Sequence, residues 1–133
     1  MPLIMYGMSS ATTPVFAHPA RNTDLFGVEP GMTVADFGSG SGHYTLAIAE
    51  RLQHSGHVYA IDIQKDLLTR IKNEAHKQGY KNVEVIWGDL ERAHASKIAD
   101  EHADLVLMSN LLFQLEDKHA PLIEAMRILK PRG

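Results

Sequence analysis

Asp36-Phe37-Gly38-Ser39-Gly40-Ser41-Gly42 decides the fold. Before it, the short apolar run from Thr33 to Phe37 has the pattern of a strand buried on both faces of a parallel sheet. After it, Leu46, Ala47, Ile48, Ala49 and Leu52 make the stretch His43–Gln53 a largely buried helix. Glycine at alternate positions lets the backbone turn sharply between the two and come close to a ligand. The same arrangement leaves helix N-terminal N–H groups to point at that ligand. A plain strand-to-helix turn needs neither three glycines nor an acid two residues before the first.

The spacing also discriminates between ligands. A dinucleotide fingerprint, G-x-G-x-x-G, places its third glycine where His43 stands, whereas here it falls at Gly42, which disfavours a nicotinamide cofactor. A diphosphate is repelled by a fixed carboxylate such as Asp36, while the ammonium of an amino acid is attracted by it. The loop therefore suits a zwitterion better than a diphosphate.

Outward from the loop, strand and helix alternate. Strand His57–Asp62 precedes helix Lys65–Gln78, with apolar stripe Leu67, Leu68, Ile71 and Ala75 and with Gly79 at its end; strand Asn82–Trp87 follows. A weaker helix over Glu91–Ala99, strand Ala103–Ser109, and helix Lys118–Leu129 with Pro121 in its first turn and Pro131 as its stop complete the pattern. Such units predict a Rossmann-like three-layer α/β/α fold, with a parallel sheet in the order 3-2-1-4 and right-handed crossovers. The ligand then belongs beyond the carboxyl ends of the strands, where the strand order reverses. Residues 20–133 form this domain; residues 1–19, with Pro2, Pro14 and Pro19, read as an extended arm, with a short helix over Asn22–Phe26 after it.

Composition closes off several other functions. The chain has 133 residues, enough for one core and too few for two comfortable ones. Thirteen Lys+Arg against sixteen Asp+Glu are spread along it, giving a formal charge of −3 and no chain-wide basic field for nucleic acid. The absence of cysteine removes disulfides, thiolate metal sites and thiol catalysis. Eight histidines invite a metal reading, but neither His54 with His57 nor His94 with His102 has a carboxylate pair to complete a ligand set, so no metal site is expected. Neither a membrane span nor a secretion signal is present in the sequence, and the expected location is the cytoplasm.

Two further acids end strands beside the loop. Asp62 stands 24 residues after Gly38, near the separation at which a carboxylate accepts from both hydroxyls of a ribose, although an N-cap for the following helix would also use Asp there. Asp89, after Gly88, can accept from the exocyclic amino group of a base. In order, Val34-Ala35-Asp36-Phe37-Gly38-Ser39-Gly40-Ser41-Gly42, Val58-Tyr59-Ala60-Ile61-Asp62, Gly88-Asp89-Leu90, Ala103-Asp104-Leu105-Val106-Leu107-Met108-Ser109 and Arg127-Ile128-Leu129-Lys130-Pro131 resemble the successive motifs of class I S-adenosylmethionine-dependent methyltransferases. The resemblance spans about residues 25 to 133.

What the resemblance implies is specific. Asp36 and the loop of Gly38, Ser39, Gly40 and Gly42 would hold the methionine moiety of S-adenosyl-L-methionine. Asp62 would hold the ribose, Ile63 a face of the adenine, Gly88, Asp89 and Leu90 its edge, while Ser109 and Asn110 would border the methyl group. The implied activity is transfer of that methyl to a small-molecule acceptor, for Asn110-Leu111-Leu112-Phe113 lacks the prolines of amino-directed relatives and resembles the quinone and arsenite type. Gln114 stands where a histidine is common, so no catalytic base is assigned. A cofactor-binding subunit without turnover and an RNA methyltransferase are the alternatives; the second needs a basic face that Lys65, Arg70, Lys72, Lys77 and Lys81 supply only weakly.

Relatives of this class continue past the position of Gly133 into a fifth strand, a helix and a hairpin. Without them the fourth predicted strand is expected to be a bare apolar edge, which folded monomers avoid, and the expectation is either an incomplete chain or a homodimer or partner chain covering it. The N-terminal arm, with Tyr6, Phe16, His18 and Arg21, is the expected lid.

Overall fold

The structure, a computed structural model, describes residues 3–6, 27–109 and 119–131, of which 3–6 and 109 are described by backbone alone. The alternating pattern becomes β1 (Leu3–Tyr6), β2 (Thr33–Phe37), α1 (His43–Leu52), β3 (His57–Asp62), α2 (Lys65–Lys77), β4 (Val83–Trp87), β5 (Leu105–Ser109) and α3 (His119–Ile128). The strands form one parallel sheet in the order β1-β5-β2-β3-β4. Read from the β4 side, the four anticipated strands stand in the expected 3-2-1-4 order.

Strand residues divide between the faces by the period of two. Val34, Val58, Leu105 and Leu107 pack on α1 through Tyr44, Ile48, Ala49 and Leu52, and Ala60 packs on α2 through Leu68 and Ile71. Ala35, Phe37, Ile61, Val106 and Met108 face the other way, onto Ala125 and Ile128 of α3 and onto Leu90, Ala95 and Ile98 of the β4–β5 connection. Each fully buried aliphatic or aromatic side chain removes apolar surface from water at a gain of about 1.5–3 kcal/mol. These two cores clamp the sheet so that the carboxyl ends of β2 and β3 are fixed to each other through their continuous register, Thr33 opposite His57 to Phe37 opposite Ile61.

Asp104 ties the amino end of the sheet. Its Oδ2 accepts from Thr33 N at 2.8 Å and its Oδ1 from Lys130 Nζ at 3.0 Å, joining β2, the start of β5 and the residues after α3. Ala103, just before β5, also bridges in parallel to Leu129.

Two expectations are corrected. The edge of β5 is not bare: β1 pairs with it in parallel, Leu3 opposite Val106 through Tyr6 opposite Ser109. Part of the expected N-terminal arm is thus a sheet strand, and its apolar run Leu3-Ile4-Met5-Tyr6 satisfies the backbone groups that would otherwise call for a second chain. The weak helix over Glu91–Ala99 is a series of turns. Ser96 is the physical reason, because its N–H and Oγ both donate to Glu124 at 3.1 and 2.6 Å and are therefore withheld from a helical ladder. The short helix over 22–26 lies outside the described residues.

Ile48 is fully buried and Ile123 is 68% exposed. Ile48→Ala should lower the unfolding free energy by about 2–4 kcal/mol and Ile123→Ala by less than about 0.5 kcal/mol, as read by denaturant titration. Equal losses would contradict the described packing of α1 and α3.

Candidate functional site

The glycine loop is braced against β3. Gly38 N and Ser39 N both donate to Ile61 O, at 2.8 and 3.2 Å, and Gly40 N donates to Asp62 Oδ2 at 2.9 Å. Gly42 N turns back to Ser39 O at 2.9 Å. These four N–H groups hold the turn in place before any ligand arrives. Gly42 serves as the N-cap of α1 with φ +87°, and a Cβ there would stand 2.5 Å from Ile71 Cγ1. Gly40, at φ +55°, has nothing within 4 Å of the place a Cβ would take, so the space over the loop is open.

Asp36 is fully buried at the carboxyl end of β2. Its Oδ2 accepts from Thr45 Oγ1 at 2.7 Å, while Oδ1 has no protein partner. Ser39 Oγ, buried in the loop itself, is likewise without a partner. Burial pushes the Asp36 carboxyl up to about 7; the Thr45 hydrogen bond opposes that rise and the Asp62 charge adds to it. Buried polar atoms without partners are exceptional in native folds, and two beside an open glycine loop make a receptor for a polar, cationic group. The residues thus fit the amino-acid end of the implied cofactor.

Asp62 resolves the choice between its two expected roles only in part. Its Oδ1 accepts from Gln64 N at 2.9 Å, but the N-cap of α2 is Gln64, so Asp62 shapes the turn rather than capping the helix. Each oxygen uses one lone pair on the protein, leaving capacity for further donors such as hydroxyls. Asp89 is more exposed; Oδ1 accepts from Glu91 N at 3.0 Å, and Oδ2 is 3.5 Å from Arg92 Nε.

Beyond Asp62 lies a cleft of about 380 Å³ lined by Ile63, Trp87, Gly88, Asp89 and residues of the following loop, including Arg92, Ala93, His94, Ala95 and Lys97. Ile63 and Trp87 are 54% and 46% exposed there, an apolar surface open at the end of the sheet. The Trp87 indole is fixed by Nε1 donating to Ile63 O at 2.8 Å and carries Lys65 Nζ 5.0 Å from the ring centroid. Leu90 does not line the cleft; its side chain is in the core, leaving only its backbone for an adenine edge. Trp87, Arg92 and Lys97 were missed by the sequence reading, although a tryptophan closing a strand just before Gly88-Asp89 was the available signal. A larger open groove of about 640 Å³, lined by residues including Ser41, His43, Arg70 and Lys77, runs between α1 and α2 and includes none of the three acids.

The acceptor side is partly described. Ser109 ends β5 at the carboxyl edge beside Tyr6, the last residue of β1. Asn110 and Gln114, and the lid candidates Phe16, His18 and Arg21, lie outside the described residues. Of the histidines, His57 is paired with Glu84 at 3.3 Å and no group of three metal-ligating side chains occurs among the described residues.

A family model described as a methyltransferase domain matches residues 28–133. An arsenite methyltransferase of Aquipseudomonas alcaligenes is 34% identical over 108 residues, covering 77% of this chain and 31% of that protein. A ubiquinone/menaquinone biosynthesis C-methyltransferase of Hydrogenovibrio crunogenus is 32% identical over 111 residues, covering 83% and 42%. A solved S-adenosylmethionine-dependent methyltransferase from Aquifex aeolicus superposes with a TM-score of 0.76 at 31% identity, covering 85% of this chain and 58% of that one. The chain therefore spans less than half the length of these two curated relatives.

Two measurements test the site's electrostatics and shape. Native Asp36 keeps its proton up to about pH 7, whereas in the unfolded chain it is released near 3.8. Between those values the native state binds more protons. Its stability should therefore fall as pH rises from about 4 to 7, by on the order of 4 kcal/mol, and level off above; Asp36→Asn should flatten that slope in urea titrations. Gly42→Ala should cost about 1–3 kcal/mol because the φ and Ile71 both resist a side chain, while Gly40→Ala should cost about 1 kcal/mol and act mainly on ligand affinity, as thermal melts with and without ligand would show.

Proposed function

The chain belongs to the methyltransferase domain family, and on that premise we propose that it binds S-adenosylmethionine over the glycine loop and directs its methyl group to a small-molecule acceptor. The observation that carries the reading is Asp36: a fully buried carboxyl with an unpartnered oxygen, beside a loop braced open at Gly40. A carboxyl in that position gains most from a cationic partner, and an ammonium supplies one at the amino-acid end of the cofactor.

The bound cofactor supplies a sulfonium-activated methyl group, open to in-line attack by an O, N, C, S or other nucleophilic atom of the acceptor. The protein's tasks are then to bind, to orient and to exclude water. Asp36 and Ser39 Oγ hold the amino-acid end, and Asp62, already aligned by Gly40 N and Gln64 N, accepts the ribose hydroxyls. Ile63 and Trp87 cover the base with apolar surface, and Asp89 accepts at its edge. Because Asp36 is protonated below about pH 7 in the free protein, uptake of an ammonium there releases a proton. Affinity should consequently rise with pH up to about that value and fall again where the ligand's ammonium loses its own proton.

A small-molecule acceptor is supported by Asn110-Leu111-Leu112-Phe113, which lacks the proline pair of amino-directed relatives, and by similarity to proteins named for arsenite and for ubiquinone/menaquinone biosynthesis.

Calorimetric titration with S-adenosylmethionine and S-adenosylhomocysteine should give saturable binding, weakened by on the order of tenfold or more in Asp62→Ala, with NAD showing none. Methyl transfer to arsenite and to demethylated quinones is then assayed with labelled cofactor. A folded chain that takes up neither sulfur ligand would overturn the proposal; binding without transfer to any acceptor would leave a cofactor-binding subunit in its place.

A further inference from the structure

Among the described residues, Glu124 is the most deeply buried charged side chain outside the carboxyl-end site, at 3% exposure, and the proposed chemistry makes no use of it. From α3 it reaches across to the β4–β5 connection. Its Oε2 accepts from Ser96 N at 3.1 Å and from Ser96 Oγ at 2.6 Å, and Arg127 Nε and NH2 donate to its two oxygens at 2.9 and 2.7 Å. Arg127 continues the network to Ile98 O at 2.7 Å and to Asp100. Burial by itself would raise the Glu124 carboxyl, but the hydrogen bonds from Arg127 and Ser96 more than offset it and hold the group below its ordinary value. The Glu124–Arg127 pair thus fastens three points of one connection.

That connection forms a wall of the cleft beside Ile63 and Trp87, and it needs fastening. His94, Lys97 and Glu101 have φ of 57°, 59° and 53°, left-handed values that residues with a Cβ adopt at a cost. Ser96 sits between the first two. Its neighbour Ala95 is pressed onto Gly88 so closely that a Cβ on Gly88 would stand 2.4 Å from Ala95 O. Lys97 on the other side donates from Nζ to Trp87 O at 3.2 Å. Position therefore passes from Glu124 through Ser96 to Ala95 and Gly88, and Gly88 carries Asp89.

We infer that Glu124 is a positioning residue for the nucleobase end of the cofactor, holding the Ala93–Lys97 wall against Gly88 so that Asp89 meets the exocyclic amino group of adenine. The inference rests on the proposed function for the identity of the ligand; the mechanical part stands on the protein alone. Release of Ser96 frees the strained turns, and the Asp89 carboxylate then loses its fixed place relative to Ile63 and Trp87. Arg92, 82% exposed and already 3.5 Å from Asp89, then competes with the base for its carboxylate.

Ser96→Ala removes the Oγ donor and retains the fold-defining apolar contacts; Glu124→Gln keeps an acceptor and removes the charge, and serves as the second variant should the first fail to fold. In the ligand-free protein, hydrogen exchange at amides 88–98 should accelerate by on the order of tenfold in either variant while β2 and β3 are unchanged. Titration with S-adenosylhomocysteine should show affinity lowered by about tenfold, with a much smaller change for S-inosylhomocysteine, whose base has an oxo group in place of the amino group. The preference for adenine over hypoxanthine should therefore collapse. Unchanged exchange at 88–98 in both variants, or faster exchange with that preference intact, overturns the inference. Should the wild-type chain bind neither sulfur ligand, the proposed function falls, and the exchange measurement alone decides whether Glu124 holds the loop.

Discussion

The structure depends on a short set of hydrogen bonds at the carboxyl end of β3. Ile61 O receives two loop N–H groups and Asp62 Oδ2 a third. Without them the segment Gly38–Gly42 would be a flexible glycine run, and its lost conformational freedom would fall on every ligand that bound there. With them the loop is rigid before any ligand arrives. The bracing explains why an acid is required at position 62 even in the free protein: one carboxylate both builds the site and keeps lone pairs for a guest.

Around that junction the chain separates two electrostatic tasks. Asp36 lies behind the loop, fully buried, its charge suppressed until a cation comes. Asp89 lies in front, wetter and paired with an exposed arginine. Asp62 stands between them with both oxygens already occupied by backbone donors. Three carboxylates at or just beyond the ends of adjacent strands would repel one another if all were equally charged and equally buried; their graded exposure relieves that conflict.

Much of this was legible in the residues. Continuous apolar runs at 33–37, 57–62 and 103–109 can only be strands buried on two faces, and glycine at 38, 40 and 42 after an acid marks the turn they feed. The order of the four expected strands followed from the alternation with helices. What failed to show was nonlocal. Leu3-Ile4-Met5-Tyr6 has nothing in its own neighbourhood to distinguish a strand from an arm, because its partner begins about a hundred positions later at Val106. Residues 91–99 carry helix-forming alanines, and only Glu124, on a distant helix, draws Ser96 out of that pattern. Trp87 reads as the end of a buried strand until the half-open cleft beside it is known.

The position of β1 bears on how the molecule is made. Its four residues are synthesised well before β5, the strand that receives them, and about a hundred residues separate the two. An apolar β-prone segment therefore waits unpaired until β5 has been made, and closing its long loop comes only after the β2–β5 pairing exists to define an edge. During that interval the segment is an aggregation-prone strand in search of an edge, and the same four residues that finish the sheet are the ones a chaperone would be expected to hold.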